Sequence, residues 1–245
     1  MCQHISAEEV ILNVKAVASA DYAVKVKRFF KTGPGEYGAS DVFWGIRNPE
    51  ARNIAKKYTV LSLSEIEILI DHLVHEGRLV GLLILVHQFK KAKRESEKVN
   101  VFQFYCSKFQ QINNWDLVDI SAHHIAGAYC FDHDAEILFT WAQSPHLWTR
   151  RIAVVACLYF IRKNRFEEIF SLCIALGNDS EPLMHKACGW MLREVGKKNV
   201  QMLRDFLNQW GTKLPRTTIR YAIERFEKDE RLKLLQETKN NLKFV

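Results

Sequence analysis

The chain has 245 residues, 48% hydrophobic and 26% charged, a balance that excludes disorder and permits a substantial core. Its lysines and arginines outnumber its acids to give a net charge of +7, which favours a polyanionic partner. Six cysteines (Cys2, Cys106, Cys130, Cys157, Cys173 and Cys188) are scattered with no CxxC pair, and in so large and regular a chain they predict a reducing compartment rather than a disulfide framework. With no apolar signal core at the N-terminus and only the short run "VGLLILV" inside, a cytoplasmic protein is expected.

Apolar residues recur at helical spacing along nearly the whole length, and no convincing alternation predicts a strand. Residues 31 to 46, "KTGPGEYGASDVFWGI", hold four of the eleven glycines and read as a loop anchored by Phe43 and Trp44. Asn48 and Pro49 open a helix over "PEARNIAKKY". Ser64 and Glu67 make a capping box for "EIEILIDHLV". Two histidine pairs, His72 with His75 and His123 with His124, lack carboxylate or thiolate partners at ligand spacing and read as surface or packing groups. No metal or other cofactor is indicated.

A helix starts within "NNWDLVDIS", residues 113 to 121, and places Trp115 and Asp119 one turn apart. Ala122 and Ala126 share that face and leave room beside the carboxylate. The same residues also fit a structural tryptophan with its aspartate bonded to an arginine or a helix end. Further on, Ser144 and Pro145 open "HLWTRRIAVVACLYFIRK", which is apolar nearly all round and so central. Trp148 and Arg151 share a face at its start, where the arginine either closes an internal pair or reaches a ligand. Ser180 opens the next long helix, "EPLMHKACGWMLREVGKK".

That last helix has two opposite sides. Lys186, Trp190, Arg193 and Lys197 fall in one narrow stripe, while Met184, Ala187, Cys188, Met191 and Val195 cover the other. Cations at this spacing repel one another, so the stripe calls for an anionic partner. Between residues 145 and 225, fourteen lysines and arginines face seven acids, which gathers the excess charge into one region. Roughly a dozen helices in stacked HEAT-like pairs, a single all-α superhelical solenoid domain over 1–245 with a concave basic surface, are expected.

Four segments, "FWGIRNPEARNIAKKY", "NNWDLVD", "WTRRIAVVA" and "KACGWMLREVGKKN", resemble the AlkD family of DNA alkylation repair glycosylases in content and order. The resemblance implies a monomeric enzyme that hydrolyses the N-glycosidic bond of cationic N3- or N7-alkylated purines, such as 3-methyladenine and 7-methylguanine, in duplex DNA. It places the catalytic positions on Trp115, Asp119, Arg151 and Trp190. Lys186, Arg193, Lys197 and Trp148 are the expected DNA contacts. The resemblance also implies action without a base-flipping pocket, in keeping with no evident aromatic cluster beyond the two tryptophans. At "VKRFFKT" the chain departs from the family pattern, with Phe29 and Phe30 in place of an aromatic hydroxyl. Two other readings stay open: a non-catalytic DNA-binding protein of this fold, and a helical scaffold for proteins.

Overall fold

The computed structural model describes residues 5–239, so Cys2 lies outside the described residues. All regular elements there are helical, apart from one isolated bridge between Val42 and Val74. The backbone divides into two compact units, residues 1–129 and 130–245, with the boundary inside one short helix. No helix among the described residues is long and apolar enough to cross a membrane.

The first unit contains α1 (Ala7–Ala16), α2 (Ala20–Phe30), α3 (Asn48–Lys57), α4 (Leu63–Ile70), α5 (His75–Lys91), α6 (Glu95–Ser107), α7 (Trp115–Ser121) and the start of α8 (Ala126–Asp132). Its centre is α5, packed by α3, α4, α6 and α7. "VGLLILV" is the buried heart of α5. Ser6, Ser19 and Ser62 cap α1, α2 and α4 by accepting from N–H groups three residues on. The cap of α4 is therefore Ser62 rather than Ser64, and the helix stops at Ile70, before the "DHLV" that was expected to continue it.

The glycine-rich segment is a loop, as expected, and α5 pins its end. Glu76, in the first turn of α5, accepts hydrogen bonds from the N–H groups of Trp44 (3.0 Å), Gly45 (2.7 Å) and Ile46 (3.3 Å). His75 N–H donates to the Val42 carbonyl at 2.8 Å. Gly45 sits at φ 82° with the Ser19 carbonyl where a Cβ would stand, so only glycine fits there. Phe43 is buried and anchors the segment.

The second unit holds the rest of α8, then α9 (Glu136–Ala142), α10 (Leu147–Arg162), α11 (Glu167–Ala175), α12 (Pro182–Lys198), α13 (Val200–Trp210), α14 (Arg216–Ala222) and α15 (Lys228–Glu237). α10 packs on α9, α11 and α12, and α12 packs on α10, α11, α13 and α14. The apolar run of α10 is buried as expected. So is the apolar side of α12, where Met184, Ala187, Cys188, Met191 and Val195 are all buried. His146 and Glu181 occupy the caps of α10 and α12, rather than the serines preceding them.

Gly189 lets α12 and α14 touch: a Cβ there would stand 2.5 Å from Tyr221 Cβ and 2.6 Å from the Thr218 carbonyl. A Gly189→Ala substitution should therefore push two backbones apart and cost about 1–3 kcal/mol. Thermal unfolding should show a midpoint lower by several degrees; an unchanged or higher midpoint would contradict this close approach.

Candidate active site

In the first unit, α7 begins at Trp115 with Asn114 as its N-cap. Trp115 and Asp119 are both partly exposed, one helical turn apart. The helix breaks after Ser121, and Ala122 and Ala126 are fully buried, so they leave no open space beside the carboxylate. That part of the sequence reading is corrected: both alanines pack in the core.

Trp115 does not stand alone. Its ring stacks on Phe30 of α2 (centroids 5.0 Å apart, planes 14° apart), and Phe30 stacks in turn on Phe43 at 4.9 Å. This aromatic cluster was missed in the sequence because its members lie on three separate segments. The Trp115–Phe30 pair is no slot for a base, since a sandwiched ring needs about 7 Å, twice an ordinary contact distance. The stack instead fixes the indole. Beside it lies a cavity of about 170 Å³, lined among others by Tyr22, Phe29, Phe30, Phe43, Trp115 and Asp116. Phe29, on the other side of α2 from the core, is 72% exposed.

Beneath the stack is a buried chain of charges. His75 is 2% exposed, and its ring lies 5.1 Å from that of Phe30 and 4.7 Å from that of Phe43. Its Nε2 is 2.7 Å from Asp116 Oδ2, and its Nδ1 is 3.5 Å from Asp41 Oδ2. The second distance is too long for a good hydrogen bond, so its attraction is Coulombic. Asp41 also pairs with Arg78 and accepts from Asn114 Nδ2 at 2.7 Å. Arg78 Nη1 donates to Asn113 Oδ1 at 2.7 Å. His75 is thus a buried ion, which the expectation of a surface or packing histidine did not foresee.

Burial alone would push the His75 pKa down, but the Asp116 carboxylate, and Asp41 after it, overcome this and raise it to about 9. Burial would likewise raise Asp41, yet the facing His75 and Arg78 hold it down at about 2.

In the second unit the basic stripe of α12 is not unpartnered. Trp190 Nε1–H donates to Glu194 at 3.2 Å, and Lys197 pairs with the same carboxylate at 2.5 Å. Arg193 pairs with Glu224 of the segment after α14. The repulsion argued from the stripe is therefore relieved internally, by an acid one turn along and another distant in sequence. Lys186 is exposed and makes no ion pair among the described residues. On α10, Arg150 binds Asp179 through Nε at 2.7 Å. Arg151 is 5% exposed, and its Nη1 donates to the Leu183 carbonyl at 2.8 Å. Trp148 is also 5% exposed, packed into the core where it can offer no face to DNA. That expected contact is corrected: the indole belongs to the apolar side of a central helix.

The buried charges make stability depend on pH in both directions. Folding raises His75 from 6.5 to about 9, so its contribution is complete below pH 6.5 and lost as pH rises through 9. That is on the order of 3 kcal/mol. Folding lowers Asp41 from 3.8 to about 2, so its contribution is present above pH 3.8 and lost as pH falls through 2. Thermal unfolding followed by circular dichroism between pH 6 and 10 should show a falling midpoint on the alkaline side. A His75→Gln variant should be less stable at pH 6 and nearly flat across this range; a decline as steep as the parent's would refute the assignment.

A family model described as DNA alkylation repair enzyme matches residues 10–226. A solved structure described as a predicted DNA alkylation repair enzyme from Enterococcus faecalis is similar, with a TM-score of 0.67 at 20% identity over 86% of this chain and 97% of that one. No curated protein matches the chain. The structural likeness shows the same all-helical repeat fold, and the family match spans both units. The chain therefore belongs to the family of DNA alkylation repair enzymes.

Proposed function

We propose that the protein is a DNA glycosylase that removes cationic N3- and N7-alkylated purines, including 3-methyladenine and 7-methylguanine, from duplex DNA. The observation that carries this reading is α7 itself, which presents a partly exposed indole and a partly exposed carboxylate one turn apart in a chain of this family. Alkylation makes the base a cation, and cleavage of its bond to C1′ returns the electron pair to the ring and neutralises it. No general acid is needed. The cost lies in the positive charge that develops on the deoxyribose, and a fixed carboxylate lowers it electrostatically. Asp119 takes this role and orients the water whose oxygen then bonds to C1′ as one of its protons passes to solvent.

In the first unit Trp115 offers a π face to the cationic nucleotide and its sugar, and in the second unit Trp190 is the indole of the proposed DNA-binding stripe. Arg151, 5% exposed and bonded to the Leu183 carbonyl, serves by holding the first turn of α12 rather than by an open phosphate contact, and Lys186, with no ion-pair partner among the described residues, is the strongest candidate for a backbone contact. Arg193 and Lys197 must share themselves between their glutamates and the DNA. The stack that covers one face of Trp115 leaves no base-sized slot against it, which supports action on the lesion without a dedicated base pocket.

The decisive experiment is release of free 7-methylguanine or 3-methyladenine from methylated duplex DNA under single-turnover conditions. Asp119→Asn should lower the rate at least hundredfold, about 2.7 kcal/mol, while DNA affinity stays within threefold. Binding without release from the parent protein would instead mark a non-catalytic DNA-binding protein, and absence of salt-sensitive binding would mark a scaffold. Separately, Lys186→Ala should weaken binding evenly across sequences and reduce the slope of log K against log[salt] by about one. An unchanged slope would remove Lys186 from the backbone contacts.

A further inference from the structure

We propose that His75 is a positioning residue for the candidate active site: its imidazolium clamps Asp116, and through it fixes the orientation of Trp115 and Asp119 on α7. The proposal rests on the glycosylase reading above and adds a group that need touch neither DNA nor the lesion.

The geometry begins with the length of α7. Seven residues cannot hold a helix or its direction unaided, because isolated helices shorter than about 12 residues are marginal in water. Its orientation must come from ties to the rest of the unit. Four successive residues supply them. Asn113 is held by Arg78, Asn114 by Asp41, Trp115 by the Phe30 ring and Asp116 by His75. Arg78 and His75 both project from the first turn of α5, and Asp41 comes from the glycine-rich segment pinned to that same turn. The stretch "NNWD" is thus seated residue by residue on the start of α5.

Of these ties, the one to Asp116 owes its charge to a proton that can leave. As an imidazolium, His75 has a donor for Asp116 and a positive charge for Asp41; as a neutral ring it has one N–H and no charge. Deprotonation therefore leaves two buried carboxylates facing a neutral group. The charged groups that face His75 are Asp116 from α7 and Asp41 from the glycine-rich segment, and Asp41 is paired in turn with Arg78 from the helix of His75 itself. Glu76, next to it, is turned to the backbone of residues 44 to 46, and α2 contributes the Phe30 ring with Tyr22 across the cavity. Loosening the Asp116 tie frees the first turn of α7, and Asp119 lies only three residues further along. A displacement of about 1 Å in a catalytic group can cost on the order of a hundredfold in rate.

The test combines single-turnover release of 7-methylguanine at pH 6 to 9.5 with DNA affinity and thermal unfolding. The wild-type rate should fall on the alkaline side with a midpoint near 9. Asp116→Asn keeps the side chain's size but removes one facing charge. It should move that midpoint at least one unit lower and slow release about tenfold at pH 7, with DNA affinity changed less than threefold. His75→Gln should abolish the alkaline fall. A role confined to stability would lower the unfolding midpoint of both variants but leave the pH profile where it was, and that outcome overturns the proposal. If the wild type releases no base at all, the glycosylase reading fails by itself. The clamp is then read from the emission of Trp115, taken as the difference from Trp115→Phe and titrated from pH 6 to 10. A transition near pH 9 that Asp116→Asn moves lower supports the clamp, and a flat titration overturns it.

Discussion

One buried cation governs the first unit. The imidazolium of His75 sits under two stacked phenyl rings, with a carboxylate on either side. Desolvating these groups is expensive, and the arrangement survives because opposite charges and hydrogen-bond donors meet at close range. Asp41 has three neighbours that favour its charged form, and Arg78 passes the chain on to Asn113. A hydrophobic substitute could fill the same volume. It could not set the direction in which a seven-residue helix leaves the loop before it.

The second unit solves a different electrostatic problem. The face of α12 that carries Lys186, Trp190, Arg193 and Lys197 also carries Glu194, which bonds to both the indole and Lys197. This acid holds the ring in one orientation and lowers the repulsion between neighbouring cations. On the proposed function, an incoming phosphate would compete with this carboxylate for Lys197, and part of the Coulombic attraction would be offset by the pair given up. Exposed pairs of this kind are individually weak, which makes the exchange inexpensive.

The helical class, the buried run of α10 and the two-sided character of α12 were legible because each depends on residues three or four apart. The indole and carboxylate of "NNWDLVDIS" were legible for the same reason. What escaped was long-range. Asp41, His75 and Asp116 lie on three separate segments, and no local spacing marks them as partners. The glutamate that answers Arg193 is 31 residues away. Trp148 misled because a tryptophan beside two arginines suggests an interface, whereas the apolar surroundings of α10 drew its ring inward. Ser64 misled because Ser62, two residues earlier, offers the same capping chemistry and begins the helix first.

The three hydrogen bonds that Glu76 accepts have a practical corollary for the glycine-rich segment. They lock residues 44 to 46, and with them Phe43, independently of what happens near Gly35, which stands in open space at φ 79° and so should itself stay glycine. The tip of this segment is accordingly a natural splice point, able to carry an inserted tag or a dye-bearing peptide while the aromatic stack behind it keeps its place.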